Sequence, residues 1–325
     1  MFEKLFAKKI LREVIALKIA IVGAGAMGSL FGSMLSNVSE VSLIDINNDH
    51  VEAVREKGLT VENMDGSLST FNVFITDRYE DLKDPVELAI IFTKSYNTQD
   101  AALTAKAILD PAGVALTLQN GIGNLDVMQN ILGNDSAVAG VTSHGGTFLG
   151  PGKVRHAGEG LTHIAAISAK KRLIKKILQT FNAANIETVL SENVNSLIWG
   201  KLIINVGINA LTAICRVPNG IISRNAECFS MMKEAVCEAV AVAHELGVTL
   251  PYEDPVEQVA KVCTATATNR ASMLQDVLRN ARTEIGAING AIASMAEPLG
   301  IVTPVNRFLT RIIKAIETTA EFRVR

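Results

Sequence analysis

The feature that most constrains the fold is a glycine-rich segment near the N-terminus. An apolar run, Lys18–Val22, is followed at once by Gly23-Ala24-Gly25-Ala26-Met27-Gly28. The next residues, to about Leu35, are typical of a helix, and a second apolar run, Val41–Ile44, ends in Asp45. A strand, a glycine-rich turn, a helix and a second strand in this order predict a βαβ unit.

The spacing of the glycines also predicts what this unit binds. Gly23 permits a tight turn, Gly25 lets the backbone approach a pyrophosphate, and Gly28 lets the helix pack closely on the strand. The start of the helix adds N–H donors and a partial positive charge. We therefore expect Gly23, Ala24, Gly25, Ala26, Met27 and Gly28 to form a dinucleotide-binding loop.

Strands and helices alternate along the first half of the chain. Further strands are predicted at 71–76, 88–92, 114–118, 138–143 and 161–166, with helices at 49–57, 97–108, 123–132 and 170–182. This alternation predicts an α/β fold with a Rossmann-type, doubly wound parallel sheet. The stretch 145–166 is expected to add an antiparallel extension that closes the sheet.

The second half is typical of an all-α domain. Helices are predicted at 193–213, 228–246 and 256–267, over a stretch from Ser272 to Leu299, and at 304–321. We divide the chain into an N-terminal extension (1–17), a dinucleotide-binding domain (18–191) and an all-helical substrate domain (192–325). We expect the substrate in a cleft between the last two.

Composition excludes several classes of function. The 325 residues carry a formal net charge of only −2, which argues against a nucleic-acid-binding surface. The four cysteines lack metal-binding spacing and are expected as free thiols of a cytoplasmic protein, and we expect no metal. Residues 1–17 are too short to span a bilayer; an extra helix, an upstream start and a membrane-surface anchor all remain open. No membrane partner is expected, and a homodimer is compatible with the sequence.

Three polar residues interrupt the apolar segment Trp199–Ala213. Lys201, Asn205 and Asn209 are spaced i, i+4 and i+8, so a helix places them in one line. Burying these groups costs several kcal/mol unless each has a partner (about 2–7 kcal/mol for one unpaired amide). The stripe therefore faces either water or a polar cavity that a ligand fills.

Three more residues are candidates for the same site. Lys94 and Asn120 each follow a predicted strand, at the edge where doubly wound sheets bind ligands. A solvated lysine and ordinary Asn-Gly turn chemistry are the alternatives. Glu284 lies in a stretch predicted to be an apolar helix; it is either a surface residue or the partner of Lys201 in an acid/base couple.

The assembly resembles the ketopantoate reductase (2-dehydropantoate 2-reductase) family from Lys18 to about Glu321. The resemblance is carried by the glycine-rich segment, Trp199–Ala213 with Pro218-Asn219-Gly220, Ser272–Asp276, Thr283-Glu284-Ile285 and Ile288-Asn289-Gly290. Gly286 stands where the family frequently has an aspartate, and Ala210 where it frequently has a proline.

The resemblance implies NAD(P)H-dependent reduction of 2-dehydropantoate to (R)-pantoate, a step towards pantothenate and coenzyme A. It implies that Lys201 donates the proton and that Glu284 helps to orient the substrate, so we expect these two as the catalytic residues. Substrate oxygens are then held by Asn205, Asn209, Ser272 and Asn120, while Lys94 and Asn120 line the nicotinamide. The alternatives are a dehydrogenase of the same fold acting on another 2-oxo acid and a non-catalytic NAD(P)-sensing protein.

The end of the second strand favours NAD(H) over NADP(H). Asp45 lies about twenty residues after the glycine-rich loop, where a carboxylate accepts hydrogen bonds from the adenosine ribose. Ile46 stands where many family members have an arginine for the 2′-phosphate. The alternative is that Asp45 only caps the next helix and that Arg55 or Lys57 holds a phosphate.

Overall fold

The computed structural model of the protein describes residues 17–322, so the predicted N-terminal extension lies outside the described residues apart from Leu17. The chain divides into two compact units. The first comprises the described residues up to Gln119 together with Asn124–Val194, and the second comprises Asn120–Gly123 and the residues from Asn195 onward. The domain boundary predicted after Ser191 assigned residues Asn120–Gly123 to the first domain, whereas the structure groups them with the second unit.

The first unit contains an eight-stranded sheet with the order β12-β11-β8-β7-β6-β1-β2-β5. Its strands are β1 (Lys18–Val22), β2 (Glu40–Ile44), β5 (Phe74–Thr76), β6 (Val86–Ile91), β7 (Leu109–Thr117), β8 (Ala137–Thr142), β11 (Thr162–Ala165) and β12 (Thr188–Ser191). Every pairing from β5 to β8 is parallel, which confirms the predicted doubly wound sheet. The winding reverses between β1 and β6, where such sheets bind ligands.

Alternate residues of the central strand β1 face opposite sides of this sheet. Ile19 and Ile21 belong to one buried apolar cluster, and Ala20 and Val22 to another. The helices that accompany the strands are α1 (Ala26–Leu35), α2 (Asn48–Lys57), α3 (Thr98–Ile108), α4 (Asn124–Leu132) and α5 (Lys171–Ala183). Burial on both faces explains why the strands are continuous apolar runs.

A second sheet corrects the prediction for residues 145–166. The strands β9 (Gly145–Gly150) and β10 (Lys153–Gly158) are antiparallel, but they join β3 (Leu59–Glu62) and β4 (Leu68–Phe71) in a separate four-stranded sheet. Only β11 extends the main sheet, antiparallel to β8. The predicted strand 71–76 is likewise two strands in different sheets, because the β3–β4 hairpin pairs with β10 rather than with β2.

All the regular secondary structure in the described residues of the second unit is helical. Its helices are α6 (Val194–Cys215), α7 (Asn219–Arg224), α8 (Ala226–Glu245), α9 (Pro255–Ala265), α10 (Ser272–Leu278), α11 (Asn289–Ala296) and α12 (Pro304–Thr318). By length and composition alone α6 could cross a membrane, but 67% of its most apolar window is buried inside the protein. A largely buried apolar helix is what the core of a helical domain requires.

The predicted stretch from Ser272 to Leu299 is not one helix. Asn280 adopts a left-handed backbone conformation (φ 54°), which ends α10 shortly after Leu278. The Thr283 hydroxyl then accepts the N–H of Ile285, and a single 3₁₀ turn, Ile285–Ala287, precedes α11. Glu284 therefore lies in an irregular segment, where the placement of its backbone depends on tertiary contacts.

Candidate functional site

The glycine-rich loop has the geometry that a pyrophosphate requires. Gly23 has a φ of 93°, and a Cβ on it would lie 2.6 Å from the Thr93 backbone nitrogen. A Cβ on Gly28 would overlap the Gly23 carbonyl oxygen, whereas one on Gly25 would meet no described atom within 4 Å. Gly25 is also the N-cap of α1 and offers no side-chain acceptor to the first N–H groups of that helix. The loop therefore fits a bound dinucleotide.

A buried hydrogen-bond chain that sequence reasoning missed supports this loop. The Gly152 N–H donates to His50 Nδ1 (2.9 Å), which places the imidazole hydrogen on Nε2, 3.2 Å from Ser29 Oγ. Ser29 in turn donates to the Ala24 carbonyl oxygen (2.6 Å). Burial lowers the pKa of His50, with Asp45 opposing, so the ring is neutral at pH 7. The sequence separation of 102 positions between His50 and Gly152 explains why no local pattern indicated this contact.

Asp45 is not the N-terminal cap of α2. The cap of α2 is Asn47, whose side chain accepts the His50 N–H (3.2 Å), while Asp45 accepts the Asn47 N–H (2.9 Å). Arg55 donates to the Ile75 carbonyl and the Thr76 hydroxyl of β5 and forms an ion pair with Asp77 (3.2 Å). The side chain of Ile46 is 84% exposed.

Lys94 lies where a hydrogen bond connects the ends of β6 and β7. It is partly buried and follows β6, immediately before a 3₁₀ turn, Ser95–Asn97. The amide of Gln119, at the end of β7, donates to the Thr93 carbonyl (2.8 Å) and to the Thr98 hydroxyl (3.0 Å). Gln119 is a second residue that sequence reasoning missed, and it holds the backbone next to Lys94.

Asn120 belongs to the second unit, in the segment that contacts the turn after Glu284. The Ile122 N–H donates to the Ala287 carbonyl (3.1 Å), and a Cβ on Gly121 would lie 2.6 Å from the same oxygen. Gly121 also has a φ of 84°. Glycine is therefore required at position 121 by its close approach to the segment that carries Glu284 as well as by its backbone conformation.

The predicted polar stripe lies on α6. Because α6 is helical throughout, Lys201, Asn205 and Asn209 share one face. Lys201 and Asn205 are partly buried, and Asn209 is 5% exposed. None of the three has the exposure of a freely solvated side chain, which favours a polar cavity over a water-facing stripe.

The ammonium of Lys201 is tuned by its surroundings. Burial lowers its pKa from 10.5 to about 8, and the negative charge of Glu284 opposes this effect. The Glu284 side chain is itself buried, with 6% exposure. The structure thus brings the two predicted catalytic residues into electrostatic contact within one unit, as an acid/base couple requires.

A side chain of α12 binds the backbone of the segment around Glu284. The Glu317 carboxylate accepts the Thr283 N–H (2.7 Å), and the Glu284 carbonyl accepts the Ala287 N–H (3.0 Å). Ser272, the first residue of α10, is partly buried in the same unit. A Cβ on Gly286 would meet no described atom within 4 Å, so the aspartate frequent in the family would be accommodated there.

The candidate residues thus fall into two groups. The second unit holds Lys201, Asn205, Asn209, Ser272, Glu284 and Asn120. The first unit holds the glycine-rich loop, Asp45 and Lys94. Between residues 17 and 322, no three His, Cys, Asp or Glu residues cluster in a way that could hold a metal ion.

The chain matches two family models and curated relatives along most of its length. The model described as ketopantoate reductase PanE/ApbA matches residues 19–169, and its C-terminal counterpart matches residues 193–317. The 2-dehydropantoate 2-reductase of Pyrococcus abyssi is 36% identical over 93% of this chain and 98% of its own. That of Halobacterium salinarum is 34% identical over 92% and 98%.

Solved structures agree with these matches. A PanE/ApbA family ketopantoate reductase from Ralstonia eutropha JMP134 is 32% identical, with a TM-score of 0.86 over 94% of this chain and 100% of that one. A ternary structure of D-mandelate dehydrogenase with NADH and anilino(oxo)acetate is 29% identical, with the same TM-score and coverage. Because two family models cover most of the chain and curated relatives are more than 30% identical to it over almost their whole length, the chain belongs to the ketopantoate reductase family.

Proposed function

We propose that this protein catalyses the NAD(P)H-dependent reduction of 2-dehydropantoate to (R)-pantoate. The observation that carries the proposal is the buried Lys201, whose pKa of about 8 leaves it largely protonated at neutral pH. An acid with a pKa near the working pH is well suited to proton transfer. The matches to ketopantoate reductase models over residues 19–169 and 193–317 indicate that this acid serves a reduction.

The chemistry divides between the cofactor and the protein. A bound reduced nicotinamide would supply the hydride that reaches the keto carbon. As the keto oxygen gains negative charge, Lys201 stabilises it electrostatically and donates the proton that completes the hydroxyl group. Glu284 holds the lysine in its charged form and helps to orient the substrate.

We assign the remaining polar side chains of the second unit to the substrate. Asn205 and Asn209 lie one and two turns beyond Lys201 on the same face of α6, so their amides reach successive points along a bound acid. Ser272 and Asn120 complete this set of donors. In the first unit, Lys94 and the segment Gly23–Gly28 are assigned to the cofactor.

The preferred cofactor in this proposal is NADH. Asp45 would accept hydrogen bonds from a ribose hydroxyl but would repel a 2′-phosphate. Arg55, one of the two alternative cations, already binds Ile75, Thr76 and Asp77. The related D-mandelate dehydrogenase, solved with NADH, supports this preference.

The decisive test is the oxidation of NADH and NADPH by the purified protein with 2-dehydropantoate and a panel of other 2-oxo acids. We expect the highest kcat/KM with 2-dehydropantoate and NADH. A higher value with phenylglyoxylate, the 2-oxo acid of mandelate, would reassign the substrate; no turnover with any 2-oxo acid would refute the function. The proposal further places the enzyme in the cytoplasm, either as a monomer or as a homodimer.

A further inference from the structure

A buried chain of amide groups connects the helix of Lys201 to the segment of Glu284. Asn289, the first residue of α11, has no exposed surface, and its Nδ2 donates to the Val206 carbonyl of α6 (3.2 Å) and to Asn306 Oδ1 (2.9 Å). Val206 directly follows Asn205 of the polar stripe. The side chain of Asn289 is thus a direct bond between α6 and the residues just after Glu284.

The orientation of every amide in this chain is determined by a carboxylate. Glu238 of α8 accepts the N–H groups of Val305 and Asn306 (2.9 Å each) and the side-chain Nδ2 of Asn306 (2.7 Å). Asn306 Nδ2 also donates to the Ala235 carbonyl (2.9 Å), so its Oδ1 must face Asn289 and accept. Asn289 therefore presents its NH₂ group to both acceptors, and a flipped amide would oppose oxygen to oxygen.

The connection between Asn289 and Glu284 is short and internally bonded. The Ala287 N–H donates to the Glu284 carbonyl (3.0 Å), and the Ile288 N–H donates to the Ile285 carbonyl (3.3 Å). A displacement of Asn289 is therefore transmitted to Glu284 through a compact turn. The same side chain holds α6 at Val206, little more than one helical turn after Lys201.

We propose that Asn289 is a positioning residue, oriented by Glu238 through Asn306, that holds the carboxylate of Glu284 at its working distance from the Lys201 ammonium. The proposal rests on the function assigned above to that couple. It assigns Asn289 a role in setting the charge of the catalytic acid without contact with substrate or cofactor.

This role makes a prediction that a purely structural role does not make. Glu284 is the group whose charge raises the pKa of Lys201. Tyr252 also lies close to this helix, since its hydroxyl donates to the Gly200 carbonyl (2.8 Å). Burial raises the pKa of Tyr252, so this residue stays neutral and adds no charge near Lys201. Loosening Glu284 therefore lowers the pKa of Lys201. Loss of stability alone leaves that pKa unchanged in the molecules that remain folded.

The test compares Asn289→Ala with Asn225→Ala in the full-length protein. The control makes the same chemical change in the same unit but removes the N-terminal cap of α8, where Asn225 accepts the Cys228 N–H (3.0 Å). Lys201 is titrated by NMR in lysine-labelled protein through its Cε resonance, and the alkaline limb of kcat is recorded with saturating 2-dehydropantoate and NADH.

For Asn289→Ala we expect the midpoint of the Lys201 NMR titration and that of the alkaline limb of kcat both to fall by about half a pH unit or more. A full opposite charge nearby shifts a pKa by about one to three units, and here that charge is only displaced. We expect kcat on the wild-type alkaline limb to fall about twofold to threefold for a shift of half a pH unit, and by more for a larger shift, with the KM for NADH within about twofold of wild type. Asn225→Ala should lose thermal stability and keep the wild-type midpoints.

Unchanged midpoints in Asn289→Ala, or an equal shift in the control, would overturn the positioning role. Should Asn289→Ala not fold, Asn289→Ser replaces it; the hydroxyl can donate only one of the two bonds, so the midpoints should still fall, and unchanged midpoints overturn the role equally. The NMR titration needs no turnover. A protein that fails to reduce 2-oxo acids but shows the shifted Lys201 titration would therefore contradict the proposed function and leave the positioning role standing.

Discussion

Replacing Asp45 and Ile46 together tests the proposed cofactor preference. The double variant Asp45→Ser, Ile46→Arg removes the carboxylate and adds a cation at a side chain that is 84% exposed and therefore has room for an arginine. Serine is chosen because its hydroxyl can still accept the Asn47 N–H that Asp45 accepts now (2.9 Å). The turn that positions the cap of α2 is thereby kept.

The size of the effect follows from the charges. Two unit charges about 5 Å apart repel by about 3 kcal/mol at an effective dielectric constant of about 20. Asp45 is only partly buried, so screening reduces this value, and we expect a net penalty of about 1.4 kcal/mol, or tenfold, against NADPH in the wild type. Removing the repulsion and adding an arginine–phosphate pair should change the ratio of kcat/KM values by about a hundredfold in favour of NADPH.

The assay measures kcat/KM for both cofactors at saturating 2-dehydropantoate. Asp49→Ser is the matched control, because it removes an exposed carboxylate in the first turn of α2 and leaves the strand end unchanged. We expect its cofactor ratio to stay within about threefold of the wild type, since exposed charges are strongly screened. A wild type that prefers NADPH, or a control that shifts the ratio as far as the double variant, would refute the argument.

Four further predictions concern the second unit. Lys201→Ala should lower kcat by about a hundredfold or more with cofactor binding intact, measured by turnover and by NADH titration. In the wild type, kcat for reduction should be high below pH 8 and fall above it, because the lysine must be protonated and its pKa is about 8; a limb near pH 10 would contradict the assigned burial effect. Asn205→Ala and Ser272→Ala should raise the KM for 2-dehydropantoate, by about 1–3 kcal/mol in free energy, with the KM for NADH unchanged. Ala210→Pro should destabilise the folded protein by less than the about 3 kcal/mol that is usual for a proline within a helix. The reason is that the Val206 carbonyl, which would lose its helical partner, already accepts a hydrogen bond from Asn289. Thermal unfolding should therefore show a larger loss of stability when Asn289→Ala is added.

Local sequence patterns predicted the elements whose burial is periodic or continuous. The parallel strands around β1 are apolar runs because both faces are covered, and the stripe on α6 follows from helical spacing alone. The hairpin β3–β4 was missed because its strands are only four residues long and because β10, which joins β3 to the rest of its sheet, is distant in sequence.

The irregular segment around Glu284 shows where such patterns fail. Its apolar composition is compatible with a helix, and the prediction of a continuous helix was wrong because Asn280 turns left-handed and Glu317 binds the Thr283 N–H from 34 residues away. The supports of the site, His50 under the glycine-rich loop and Gln119 beside Lys94, depend on contacts that form only in the folded chain. Residue types that carry chemistry were therefore easier to predict than the residues that hold them.

The short segment Asn120–Gly123 has a consequence for any attempt to dissect the protein. It leaves β7 of the first unit, yet its Ile122 N–H is paired with the Ala287 carbonyl of the second. A recombinant fragment that begins at Asn195 would lack this four-residue segment and would expose the turn that supports Glu284. A chimaera that exchanges only the C-terminal half between relatives would combine one parent's loop with the other parent's turn. Gene fusions and domain exchanges in this protein should therefore move residues 120–123 together with the helical unit.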